Sequence, residues 1–220
     1  MAYSGSGSEP VSEGKESALL GIEAWVRETL EASPQRAHGW PHTDRVRRTI
    51  RILAGAEGVD PFLAELAALL HDIGRTQPGP EHEHGARSAA AAEPHLAALA
   101  LTDEERQAVL HAIHWHNSTR TDTALLRILR DADMLDGLGA MGILRAFMSK
   151  SHLPPYDPRA PFEEGRDQWP PSFSSDQLLG QMAWVHNLNT EKARQMAERR
   201  MALMAAFVAQ ARRELLQPDA

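Results

Sequence analysis

Nine of the eleven histidines in this 220-residue chain fall between His38 and His116. Around them, side chains able to bind a metal or move a proton recur at expected helix ends. His42 stands at a helix start. The pair His71-Asp72 closes the apolar run of LAALLHDIGR. His82 and His84 mark a loop-to-helix junction, HAIHWHN carries His111, His114 and His116, and RDADMLD carries Asp131 and Asp133. An ionised aspartate at the edge of a core is costly unless it is paired, hydrogen-bonded or bound to a metal. Neutral imidazoles and carboxylates suit Mn, Fe, Co, Ni or Zn, and Mg where oxygens suffice. The alternative is that these are capping and surface residues of a histidine-rich chain. No cysteine is present, which excludes disulfides and thiolate metal sites.

Several helices must converge for these residues to meet, and a helical bundle can project ligands into its core. Residues 1–12 are Ser/Gly-rich and expected to be a flexible tail, ahead of a single helical domain over 13–217. Helical periodicity starts near Glu16, with Leu19, Leu20, Ile22, Trp25, Val26 and Leu30 as the apolar set. Ser33-Pro34 stops that helix, and the stretch to Pro41 reads as a loop. A second helix carries Val46, Ile50, Leu53 and Ala54 on one face and ends at Gly58. Asp60-Pro61 then offers a cap and a first-turn proline for a helix through Leu70, after which Gly74 is expected to let the chain turn away. Residues 83–100 read as an alanine-rich helix interrupted at Pro94. Thr102 and Glu105 form a candidate capping box for a helix to about His114.

Further helices are expected from about Thr123 to Asp133, from Leu135, from Ser175, and from Thr190 to about Leu216. The last carries a stripe of Ala193, Met196, Ala197, Met201, Met204, Phe207, Val208 and Ala209. Residues 150–173 hold six of the fourteen prolines and read as a long ordered loop or lid, a natural place for specificity. There is no internal repeat and no alternating strand pattern, so the expected fold class is all-α.

Composition agrees: 42% of residues are hydrophobic but only 5% aromatic, which favours packing of alanine- and leucine-rich helices. The formal charge of −7 argues against binding to duplex nucleic acid, while leaving room for a local basic pocket. No apolar run approaches the roughly 20 residues of a membrane span, and the first residues do not read as a secretion signal. A cytoplasmic location is the expectation, and the oligomeric state is not legible.

The order His42, His71-Asp72, Asp133 resembles the H…HD…D pattern of the HD-domain metal-dependent phosphohydrolases. The local sequences resemble that family as well: His42-Thr-Asp-Arg45-Val46 its first histidine, LLHDIGR its central motif, HAIHWHN its Ala-Ile-x-x-His segment. DADMLDGLGAMGILRAF is similar to the last motif of its small stand-alone bacterial branch, and the resemblance extends over about residues 16–215. It implies an HD-type helical bundle with a long C-terminal helix. It implies His42, His71, Asp72 and Asp133 as primary ligands of a divalent metal (Mn, Fe, Co, Ni, Mg or Zn). A second metal would be held by His116 and by His84 or His82, which precede Gly85-Ala86. Asp131 and Asp136 are then orienting or capping residues, with ordinary surface acids as the alternative. His111 and His114 lie off the matched position, and His38, His95, His152 and His186 are expected to be incidental.

Arg45 lies three residues after His42, on the same helix face, and Arg75 three after Asp72. Either guanidinium could bind a phosphate or pair with a supporting aspartate, and Arg145 could also face the cleft. The tryptophans at 25, 40, 115, 169 and 184 read as packing anchors, with Trp40 and Trp115 the two beside candidate ligands. The activity implied is hydrolysis of a phosphate monoester or diester, a nucleotide among the candidates, by a metal-activated water. Asp72, His116, Arg45 and Arg75 are the candidate catalytic residues, with His116 as a candidate general base. Two other readings are a di-iron oxygenase acting on a small polyol or phosphonate, and a non-catalytic metal-binding regulatory module.

Overall fold

The structure, a computed structural model, describes residues 9–34, 36–163 and 170–216. Among them the chain forms nine α-helices and no strands: α1 (Glu9–Glu31), α2 (Trp40–Glu57), α3 (Pro61–Leu70), α4 (His84–Ala97), α5 (Asp103–Trp115), α6 (Ala124–Asp136), α7 (Gly139–Ser149), α8 (Ser174–Ala183) and α9 (Glu191–Leu216).

Helix α3 is the hub. Its sequence is apolar almost all round, as expected of a helix buried on every side, and Ala64 through Leu70 are all buried. Helices α1, α2, α5 and α6 pack around it. Its one charge, Glu65, accepts from Arg47 Nε at 2.8 Å and Arg51 Nη2 at 2.6 Å on α2. Burial pushes the Glu65 carboxyl up, but the two guanidiniums outweigh it and hold the group below its ordinary range. The stops and starts are local. Gly58 ends α2 in the left-handed region at φ 66°, where its N–H donates to the Ala54 carbonyl. The Asp60 side chain accepts from Phe62 N at 2.7 Å to open α3 behind Pro61. The Thr102–Glu105 capping box opens α5, with bonds of 3.1 and 2.8 Å.

A second layer forms on α6, where α7 packs against α8 and α9. Part of the 150–173 loop is sewn to this layer: Ser174 N and Ser175 N donate to the Pro154 and Pro155 carbonyls at 2.9 and 3.0 Å. Phe162 is buried between Tyr156 and Phe207 of α9. Residues 164–169, Trp169 included, lie outside the described residues.

Several boundaries differ from expectation. Helix α1 begins at Glu9, inside the stretch expected to be a tail. Pro10 stands in the first turn, where its missing N–H costs nothing; residues 1–8 lie outside the described residues. Pro41 likewise sits in the first turn of α2 rather than in a loop. Helix α4 runs through Pro94 without interruption to Ala97. Leu20 is 59% exposed and Ala209 is exposed; the inward stripes run Ile22–Val26–Leu30 and Ala193–Ala197–Met204–Val208 instead.

Gly74 also works differently: its φ is not positive. Helix α4 crosses directly over it, so a Cβ there would stand 2.7 Å from the His84 carbonyl oxygen and from the Arg87 carbonyl carbon. The glycine permits close packing of α4, which brings His84 to the end of α3.

Candidate metal centre

Four imidazoles are positioned at helix ends by one device. His71 follows the last residue of α3, and its Nδ1–H donates to the Ala68 carbonyl at 2.8 Å. His116 follows α5 and donates from Nδ1 to the Ile113 carbonyl at 2.7 Å. His84 opens α4 and donates from Nδ1 to the Glu81 carbonyl at 2.6 Å. His42, in the first turn of α2, gives its Nδ1–H to Asp136 Oδ2 at 2.7 Å. Carbonyl and carboxylate oxygens only accept, so each Nδ1 carries a proton, and in the neutral form each Nε2 is left with the lone pair a metal would take.

These lone pairs converge on the carboxylates. His42 Nε2 and His71 Nε2 are 3.3 Å apart, and each lies 3.5 Å from Asp72 Oδ2. His42 Nε2 is also 3.4 Å from Asp133 Oδ1. Ligand atoms about 2.1 Å from a shared ion stand roughly 3.0–3.5 Å from one another. His42, His71 and Asp72 stand at that mutual spacing, and Asp133 joins them through His42, with His42, His71 and Asp133 also grouped closely enough to share an ion. His42, His71, Asp72 and Asp133 can therefore hold a metal ion. The other oxygen of Asp72 faces a second cluster. His84 Nε2 lies 3.4 Å and His116 Nε2 3.6 Å from Asp72 Oδ1, and the two nitrogens are 3.1 Å apart. His84, not His82, is the residue brought in; the His82 side chain is 81% exposed.

Arg75 reaches into that second cluster. Its Nε donates to Asp72 Oδ1 at 2.8 Å, its Nη2 to His84 Nε2 at 3.0 Å, and its Nη1 pairs with Glu81. Arg45 holds Asp136 with two parallel bonds of 2.6 and 2.9 Å, and Arg145 adds a third at 3.0 Å while donating from Nε to the Ala37 carbonyl. Both arginines at the metal motifs are thus paired with a supporting or ligand aspartate. Asp136 orients His42, the carboxylate–histidine arrangement common around metals. Asp131 has no part in the centre. It accepts from the backbone and side chains of Asn189 and Thr190 at 2.7–2.8 Å and anchors the start of α9.

The electrostatics follow from burial and pairing. Burial lowers the His71 pKa to about 4 against the pull of Asp72 and Asp133. Burial raises Asp72, but Arg75 and the surrounding histidines prevail and hold it well below the carboxylate range. Asp136 is likewise depressed, its burial outweighed by His42, Arg45 and Arg145. His42 is raised: burial and Arg145 work against its charge, and the carboxylates of Asp136, Asp72 and Asp133 prevail.

Sequence reasoning missed His38. Expected to be incidental, it donates from Nδ1 to Asp72 Oδ2 at 2.8 Å, and its ring nitrogen, His42 and Asp72 make a third group able to hold an ion. Its position four residues before His42 was the available signal. His111 and His114 are elsewhere, lining a separate cavity beside Trp115, with His111 paired to Asp122 at 3.0 Å. His95 stacks on Trp25. Cavities among the described residues border the centre. One of about 730 Å³ abuts His42, Arg45 and Arg145, with an apolar wall of Trp40, Met141, Leu144 and Met148. Another, about 240 Å³, has Asp133 and His116 in its wall, so the centre is accessible.

A helical bundle that places histidines and aspartates in this order around one point defines the class. The HD domain family model matches residues 39–138, the stretch that holds His42, His71, Asp72 and Asp133, and the chain is similar to HD-superfamily hydrolases. It is similar to YpgQ of Bacillus subtilis, 28% identical over 90% of this chain and 94% of that protein. A crystal structure of YpgQ in complex with ADP matches with TM-score 0.69 at 28% identity, covering 91% of this chain and 100% of that one. An HD-superfamily hydrolase from Bacillus thuringiensis matches with TM-score 0.69 at 28% identity, covering 92% and 99%. Among the described residues no helix is long and apolar enough to cross a membrane.

Proposed function

We propose that the protein hydrolyses a phosphate ester, with nucleotides the substrate class to test first, at one divalent ion held by His42, His71, Asp72 and Asp133. The convergence of imidazole Nε2 atoms and carboxylate oxygens carries this reading. The YpgQ complex with ADP supports a nucleotide. Such an ion lowers the pKa of a water and polarises a phosphoryl oxygen. The chain's own groups supply the rest. His116 keeps its Nδ1–H on a carbonyl and offers Nε2 to take a proton from the attacking water. Arg75 and Arg45, fixed on Asp72 and Asp136, set a positive field for the charge that develops on the phosphoryl oxygens.

One ion is favoured over two because the Arg75 guanidinium already bonds to Asp72 Oδ1 and His84 Nε2, the lone pairs a second ion would need. The same arginine weighs against the di-iron oxygenase reading. The border of the centre on a cavity at Asp133 and His116 weighs against a sealed regulatory module. The test is a hydrolysis screen of nucleotides and simple phosphoesters with Mn, Fe, Co, Ni, Mg and Zn, alongside elemental analysis. Turnover is expected to be metal-dependent and to disappear with the ion in Asp72→Ala. Full activity in metal-stripped protein would falsify the reading.

A further inference from the structure

Each of the arginines described so far has its charge matched by a carboxylate: Arg45 and Arg145 by Asp136, Arg75 by Asp72 and Glu81. Arg130 differs. Among the described residues it has no carboxylate oxygen within ion-pairing distance, and its Nη1 donates to one neutral acceptor, the Arg120 carbonyl, at 2.9 Å. It is half-buried, in the wall of the 240 Å³ cavity that also exposes Asp133 and His116. Helix geometry explains the juxtaposition. Arg130 precedes Asp133 by three residues on α6, so the two share a face, and Trp184 and Asn187 close the opposite wall. A partly desolvated guanidinium with a single carbonyl partner keeps most of its donors for an anion. Burial lowers its pKa, and the nearby Asp131 and Asp133 do not restore it, which is the same unmet demand. The cavity is smaller than a drug-sized pocket of ~300–1,000 Å³ and suits a phosphoryl group better than a nucleoside.

We propose that Arg130 is the residue that binds substrate phosphate, its guanidinium taking phosphoryl oxygens in the cavity between α6 and Trp184, next to Asp133 and His116. The assignment rests on the phosphohydrolase reading and names the residue that captures its substrate. Neither Arg45 nor Arg75 need leave its aspartate. The sequence did not single Arg130 out, because nothing in RDADMLD tells a helix-surface arginine from one facing a cavity.

The experiment compares wild type, Arg130→Gln and Arg130→Lys, all loaded with Mn. Affinity for α,β-methylene ADP and for inorganic phosphate is read by calorimetry, metal content by elemental analysis, and KM and kcat on the best substrate of the screen. For R130Q the expected result is a Kd and KM raised by about tenfold or more, with kcat within about threefold and metal content unchanged. This is the pattern of lost ground-state binding. R130K should recover part of the affinity. Equal Kd in wild type and R130Q overturns the proposal, as does loss of metal from R130Q, which would make Arg130 a support of the centre. A wild type that binds the analogue but hydrolyses no phosphoester defeats the hydrolase reading while the Kd comparison still decides Arg130. A wild type that binds neither probe overturns both.

Discussion

His42, His71, His84 and His116 each commit Nδ1–H to an oxygen and present Nε2 inward. The partner of His42 is a carboxylate shared with two arginines, so it is the one that substitution can weaken without touching the backbone. Asp136→Asn is expected to lower metal affinity by about 10–100-fold while the protein stays folded, measured by competition with a chelator. Unchanged affinity would show that His42 needs no orienting partner. Arg75 carries a second prediction. If its guanidinium stands in for a second cation at Asp72 Oδ1 and His84 Nε2, Arg75→Met frees both lone pairs. The bound manganese should then rise from one toward two ions per chain by elemental analysis. A count that stays at one removes the argument for how the site is kept mononuclear.

At the level of elements, α6 serves two sides of the molecule. Residues two apart on a helix point about 200° apart, so Asp131 and Asp133 cannot serve the same site. Asp133 faces the metal centre, and Asp131 is buried against the start of α9, where it accepts four hydrogen bonds from Asn189 and Thr190. Asp131→Ala leaves those donors unmet and should cost roughly 3 kcal/mol or more in urea unfolding. Metal affinity should change far less than in Asp136→Asn. The α4–α5 pair shows the same economy of means. Because Gly74 has no Cβ, α4 settles onto the turn after α3, and His84 arrives beside His116.

For the molecule as a whole, burying His71 makes the metal-free state sensitive to acid. His71 titrates near 6.5 when unfolded and about 4 when folded. Between those values the unfolded chain binds a proton that the folded one refuses, so stability rises with pH across the window. The contribution of His71 is fully present above about pH 6.5 and is lost as pH falls toward 4, roughly 3 kcal/mol in size. His42 acts in the opposite sense, since its folded value is raised: its contribution is full below 6.5 and fades as pH climbs. Thermal melts of metal-free protein should therefore show a slope between pH 6.5 and 4 that flattens in His71→Gln. A slope unchanged by that substitution would place the acid sensitivity elsewhere.

The sequence by itself determined the helical class and most of the helix starts, and its family resemblance singled out His42, His71, Asp72 and Asp133 as candidate ligands. Helical periodicity, caps and short motifs are local, and a residue that must bind an ion is constrained in type wherever the chain puts it. Only the tertiary structure decided what depends on distant partners. His38 gained a role because the short 3-10 turn Arg36–His38 lays its ring against Asp72. Arg45 and Arg75 proved to be paired because Asp136 and Glu81 come within reach after folding. Arg130 stands out only once Arg45, Arg75 and Arg145 have been matched to acids and the cavity beside Asp133 is in view. Charge and burial belong to the surroundings of a residue, and those surroundings are assembled from segments up to about a hundred positions apart, as His42 and Asp136 are.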